Sequence, residues 1–307
     1  MEIANQSMAE VSPRLKEHSP GIDIELNRLP ADQQKVLHKL ADTISKRVDT
    51  AFVFCFAFQQ YEVHRAHCFD IRTDKQWLHA DILLVYQDDE QRGANQIQYL
   101  VNSVDLEECQ YAVVIMRYAE VMERLDAKEP FVCNVFRHGA LLYSHTDNLP
   151  KYNKGVVCYE TLLQQTKEGW CRWFTNSCQF MDCATYCLME HKYKMAVFMV
   201  HQTVEQACKA MLKVMLHMRP NTHNLTWMLK LCSTLAPEIA SVFPRDSPQE
   251  QSLFNKLKSS YMDSRYAATF TISEEDTWVL YYRAAAILRI AGNLCNKRIA
   301  EMEKLLV

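Results

Sequence analysis

The stretch "HADILLVYQDDE" (His79–Glu90) runs from a polar entry through Ile82, Leu83, Leu84 and Val85 to an acidic exit. The run has no polar alternation, so it predicts a short strand buried on both faces, as in a sheet covered by helices. Two other runs share its texture, "TAFVFCFAF" (Thr50–Phe58) before it and "YAVVIM" (Tyr111–Met116) after it. The segments "NQIQYLVNSV" and "RYAEVMERLDA" repeat their apolar positions at helical spacing. From Asp32, "DQQKVLHKLADTISKRV" sets Val36, Leu37, Leu40, Ile44 and Val48 on one helical face. Strands alternating with helices predict an α/β unit. The segment "FVCNVFRHGALLYS" closes it, with Gly139 placed to turn the chain before Ala140–Tyr143.

After "HTDNLPKYNKG" the texture changes, and from about Thr161 onward nearly everything reads as helix. Trp170, Trp173, Phe174, Cys178, Met181 and Leu188 form one stripe. Ala196, Met199, Val200, Thr203, Val204, Ala207, Met211 and Met215 form a second, which Arg219-Pro220 should stop. "HNLTWMLKLCSTLA" predicts a shorter helix. Ser247, Pro248 and Glu250 spell a capping box for a fourth, and "SEEDTW" (Ser273–Trp278) opens a fifth that runs to the C-terminus. Such stripes predict an up-and-down helical bundle. The expected organisation is a loosely ordered segment over 1–25, an α/β domain over 26–145, a linker over 146–160 and a helical bundle over 161–307, which is α+β overall.

Composition narrows the chemistry. The 307 residues include only 6 glycines and 9 prolines, few for Gly-rich phosphate loops or β-meanders. A formal net charge of -3 gives no global field that would draw the chain onto nucleic acid or an anionic membrane, and no DNA sequence recognition is evident. No apolar stretch approaches the roughly 20 residues of a membrane helix, and the polar N-terminus lacks the order of a signal peptide. A cytoplasmic location is therefore expected, with the 12 cysteines reduced. Cys171, Cys178, Cys183 and Cys187 include no C-x-x-C pair, so they are read as packing residues rather than zinc ligands.

The segments "MAVFMVHQTVEQACKAML", "RPNTHNLTWMLKLC" and "VFPRDSPQEQSLFNKLKSSYMDSRYAATFTIS" resemble the HEPN domain as it occurs behind a nucleotidyltransferase-like domain in many bacterial fusion proteins. The resemblance covers Trp170 to about Arg298. The front half is similar to the nucleotidyltransferase part of those fusions, but divergently. The family's pattern is a strand, a Gly-Ser loop, a second strand beginning Asp-x-Asp and a later third carboxylate. Here "CFAFQQYEVHRAHCF" stands where the loop belongs, "HADILLV" where the two aspartates belong, and "VVIMRY" where the third acid belongs. The resemblance implies nucleotide or RNA binding, stress, toxin–antitoxin or defence settings, and a homodimer formed through the helical bundle.

Nucleotidyl transfer needs two cations held by converging carboxylates. Asp81 fills the second aspartate position, but His79 replaces the first and Met116-Arg117 supplies no third acid. A site of that composition should hold no metal. Asp81 is expected to open a central strand and to emerge at its edge beside His79, facing a loop over Gln59–Cys68. Around it His64, Arg65, His67, Arg72 and Arg117 are placed to collect an anion such as a phosphate, although Arg65 and Arg72 fit a solvated loop face equally well. Asp88, Asp89 and Glu90 are read as a solvated exit turn.

In the ribonuclease members of the HEPN family an Arg is followed, after four residues, by a His that acts as general base. Counting from Arg265, that position is Phe270. His201 and Glu205, four apart, pair and line a polar groove, or else His201 is a satisfied core histidine. His223 is expected near a helix cap. Arg265 either pairs internally with Asp263 or Glu205, or meets a ligand anion. The reading favours a nucleotide- or RNA-binding regulatory protein with no resident cofactor. The alternatives are a nucleotidyltransferase using Asp81 with Mg²⁺ and unrecognised partners, and a pure scaffold.

Overall fold

A computed structural model describes residues 23–67, 70–106, 109–146, 149, 158–266 and 270–306, without the side chains of 61–76 and 264–266. The N-terminal residues 1–22 and most of the expected linker therefore lie outside the described residues.

The chain begins with a 3-10 turn (Leu26–Arg28) and helix α1 (Ala31–Ser45), then β1 (Thr50–His67) and β2 (Asp70–Tyr86). Helix α2 (Ala94–Asn102), β3 (Cys109–Arg117), α3 (Tyr118–Asp126), α4 (Pro130–His138) and β4 (Ala140–Ser144) follow. The four strands form one sheet in the order β3-β2-β1-β4, with β2 parallel to β3 and the other pairs antiparallel. The apolar runs lie in strands, as their β-branched and aromatic content requires. Their lengths differ from the expectation. β1 continues through "QQYEVHRAH" and pairs with β2 from Asp70 onward, so strand fills the place of the expected loop. The alternating polar positions of that segment suit a two-stranded ribbon that projects beyond the rest of the sheet.

Alternate strand residues build two cores. Val53, Cys55, Ile82, Leu84 and Val113 pack with Leu37, Leu40 and Ile44 of α1 and with Ile97 and Val101 of α2. Phe52, Phe54, Leu83, Val85, Val114 and Met116 face the other way, onto α3, α4 and the helical half. The Gly139 position is explained by space rather than by a turn. Its φ is -72°, and a Cβ there would stand 2.6 Å from the Val135 carbonyl oxygen.

The second half contains α5 (Tyr159–Met189), α6 (Tyr193–Leu216), α7 (Leu225–Leu235), a short α8 (Ile239–Val242), α9 (Pro248–Tyr266) and α10 (Glu274–Lys304). Helix α6 is buried on nearly every side and touches α5, α7, α9 and α10. It ends ahead of Arg219-Pro220, because His217 adopts a left-handed conformation (φ 55°) and Met218 N–H bonds back to the Leu212 carbonyl. Ser247 caps α9 by accepting from the Glu250 N–H, but the return arm of the box is absent. The Glu250 carboxylate forms a two-pronged pair with Arg283 of α10 instead. Ser273 caps α10 by accepting from Asp276 N–H. No described helix is long and apolar enough to cross a membrane.

Candidate functional site

Asp81 lies in the middle of β2, not at its start, and its side chain is 1% exposed. The odd positions of β2 point toward the helical half, which places Asp81 beneath α7. Thr234 Oγ1 is 2.7 Å from Asp81 Oδ2 and also 2.7 Å from the Leu231 carbonyl oxygen. One hydroxyl hydrogen serves two acceptors only as a weaker, bifurcated bond. A protonated Asp81 resolves the conflict by donating to Thr234, which then donates to Leu231. Burial pushes the Asp81 carboxyl above its ordinary range despite the His79 and Thr234 contacts and the charge of Lys230. Among the described residues its other oxygen, Oδ1, has no hydrogen-bond partner, and His79 Nε2 lies 3.6 Å from it. The Gln59 side chain of β1 donates to the Thr234 carbonyl, so the helix is fixed over the acid from both sides.

The expected open edge beside Asp81 is therefore a sealed interface between the sheet and α7. Sequence periodicity does not show which element covers a strand, and the missed strand length hid the register. At the third acid position Met116 is buried, and the Arg117 guanidinium lies 5.8 Å from the centre of the Tyr86 ring. His64 and Arg65 fall in β1, beyond the residues whose side chains are described. In the acidic exit Asp88 and Asp89 lie exposed in a turn, as expected, but Glu90 does not. Glu90 is buried, accepts the Asp49 N–H and binds Arg92, whose hydrogen bonds hold the carboxyl at about 2. Asp88 accepts the Ala119 N–H at the start of α3.

A second polar cluster lies on α6, where His201, Glu205 and Lys209 recur every four residues and so share a face. Glu205 is 1% exposed. Lys209 Nζ donates to it at 2.7 Å, and His223 Nδ1 is 3.0 Å from both carboxylate oxygens. His201 Nε2 lies 3.5 Å away, while its Nδ1 donates to the Leu257 carbonyl at 2.9 Å. Burial opposes the charge, but hydrogen bonds from His201, Lys209 and His223 outweigh it and hold the Glu205 carboxyl at about 2. Tyr261 of α9 completes the cluster. Its ring stacks on His223 with centroids 4.7 Å apart and tilts against His201 at 5.4 Å.

His201 and Glu205 thus stand together, and both side chains are buried. His223 reaches the surface, with its side chain 55% exposed. It sits one residue before Asn224, the N-cap of α7, whose side chain accepts from Trp227 N–H. The sequence reading does not include Lys209, and it sets Tyr261 beside Asp263 and Arg265 rather than in this cluster. Lys209 was accessible as the third member of the four-residue repeat; Tyr261 depends on how α9 crosses α6. The Arg265 side chain lies outside the described residues. Phe270 packs against the core, where no proton transfer can use it. Among the described residues no group of three or more His, Cys, Asp or Glu side chains is placed to hold a metal ion. Cys171, Cys178, Cys183 and Cys187 are spread along α5.

Residues 171–294 match the HEPN domain family and form a HEPN domain. No curated protein matches the chain. Among solved structures, a nucleotidyltransferase-like protein from Exiguobacterium sibiricum is similar at 11% identity, over 88% of this chain and 79% of that chain, with a TM-score of 0.29. A superposition that loose establishes no common function.

Proposed function

We propose that the chain binds nucleotides or single-stranded RNA, ligands that share stackable bases and phosphates, and carries out neither nucleotidyl transfer nor RNA cleavage. The observation that carries this reading is the burial of Asp81 under Thr234. The only acid left at the family's aspartate positions is enclosed at the interface between the two halves, where a metal–phosphate complex has no access. The HEPN domain supports the choice of ligand class. Within it, His223 and Tyr261 offer a stacked, partly exposed ring pair over a fixed anion, and Lys209 and Arg172 both lie over the Trp173 ring nearby.

The same proposal places the protein in the cytoplasm, in a stress or toxin–antitoxin setting, and as a homodimer through the helical bundle. Exposed Tyr186, Met189, Val279 and Tyr282 on α5 and α10 support the dimer. Light scattering at micromolar concentration reads the mass of one chain if that part is wrong. For the main reading, the full chain is incubated with labelled single-stranded RNA and nucleoside triphosphates in Mg²⁺. The expected result is a mobility shift with RNA length and protein mass unchanged. Cleaved or extended RNA, or a nucleotidylated protein, contradicts it.

A further inference from the structure

A cleft of about 340 Å³ lies between the two halves, at the outer edge of β3, and belongs to neither cluster described above. Its size is that of small-ligand pockets, which favour seams between domains. The floor is the backbone of β3 around Ile115. One wall is formed by α2 and α3 through Asn95, Gln98 and Arg124, and the other by Arg219 and Trp227 of the helical half.

The edge of β3 has a particular chemistry. Among the described residues the strand pairs only with β2, and its other side has no strand partner. The Val113 carbonyl points to that side, because Trp227 Nε1 donates to it at 2.6 Å and Gln98 Nε2 at 3.5 Å. Residues two apart in a strand turn their N–H and C=O the same way. Ile115 therefore presents one donor and one acceptor to the cleft. An extended peptide added to this edge is blocked after one residue by the Trp227 indole, which excludes strand addition. A planar ligand edge with an adjacent donor and acceptor is not blocked, and every nucleobase has one.

The charge in the cleft complements this edge. Arg124 is balanced by Glu120, to which it donates at 2.7 Å, whereas Arg219 is exposed at the mouth. The surplus is one positive charge, held by a fork that matches phosphate oxygens. We infer that this cleft is a metal-independent site for a nucleoside monophosphate, with the base edge on the Ile115 backbone and the phosphate at Arg219. The inference rests on the nucleotide-binding reading above and gives it a location away from both Asp81 and Glu205.

The test is isothermal titration of the full chain in EDTA with AMP, GMP, CMP and UMP, and with adenosine and ribose 5-phosphate as half-ligands. The expected result is that at least one monophosphate binds with a Kd below about 1 mM, that each half-ligand binds at least about tenfold more weakly, and that Arg219→Glu weakens the monophosphate at least about tenfold. Arg219 is exposed, so the variant should melt with the parent. If no monophosphate binds, or if Arg219→Glu leaves binding unchanged at an unaltered Tm, the site is not this cleft. Anisotropy of a labelled single-stranded RNA, run on the same samples, separates the two claims. RNA binding without monophosphate binding removes only the cleft; loss of both removes the reading beneath it as well.

Discussion

Thr234 Oγ1 stands 2.7 Å from Asp81 Oδ2, and this contact joins a helix of the HEPN domain to an inner strand of the sheet across 153 positions of sequence. It explains how an acid can persist in β2 without a metal. The carboxyl is desolvated, its pKa is raised, and the hydroxyl beside it is already committed to the Leu231 carbonyl.

Asp81→Asn follows directly. A group whose pKa is raised on folding favours its protonated form in the fold, so the folded state is penalised as pH rises above the ordinary carboxylate range. The groups near it are His79 on β2, Thr234, Lys230 and Cys232 on α7, and Cys55 on β1. An asparagine amide donates to Thr234 as a protonated carboxyl does. Asp81→Asn is therefore expected to melt at or above the parent temperature at pH 7. Removing one partner of a charged buried pair costs roughly 3–5 kcal/mol, and a loss of that size measured by urea unfolding would contradict the neutral-acid account.

Glu205 has the opposite sign. Its folded pKa is about 2 against an ordinary 4.5, so its contribution is fully present above pH 4.5 and is lost as pH falls toward 2. At about 1.4 kcal/mol per unit this corresponds to about 3 kcal/mol. Glu205→Gln should be destabilised at pH 7, because Lys209 and the histidines lose their anion, and its stability should fall less steeply between pH 4.5 and 2. Chemical denaturation across that window checks both. Parallel slopes for the two proteins would show that Glu205 is not the group responsible.

Much of this architecture was legible in the sequence, and what was missed has physical causes. Continuous apolar runs such as Ile82–Val85 and the stripe Ala196–Met215 mark elements because burial on both sides or all around leaves no polar positions. The same burial erases information about partners. Nothing in "DILLVY" says that Asp81 faces α7, since that contact depends on how two distant elements dock. The polar alternation of Gln59–His67 suits a loop as well as one strand of a two-stranded ribbon, so the sequence does not show that β1 continues through it. Within the HEPN half, His201 and Glu205 were visible at helical spacing, whereas the part played by Tyr261 required the crossing of α9 over α6.

Gly139→Ala tests the junction of α4 and β4. A methyl group there overlaps the Val135 carbonyl oxygen at 2.6 Å, and the backbone on both sides is held by the Gly139 N–H bond to that same carbonyl and by the pairing of Ala140 with Cys55. Overpacking of this kind costs about 1–3 kcal/mol. Thermal unfolding of the variant should show the loss. An unchanged Tm would mean that the junction yields freely.

The central claim is that nucleotide recognition by this chain does not pass through a metal at Asp81. Isothermal titration of ATP into the full chain tests it most directly, performed with Mg²⁺ and with EDTA, on the parent and on Asp81→Asn. The account predicts the same isotherm under all four conditions. Binding that requires Mg²⁺ in the parent and loses that requirement in Asp81→Asn would contradict it.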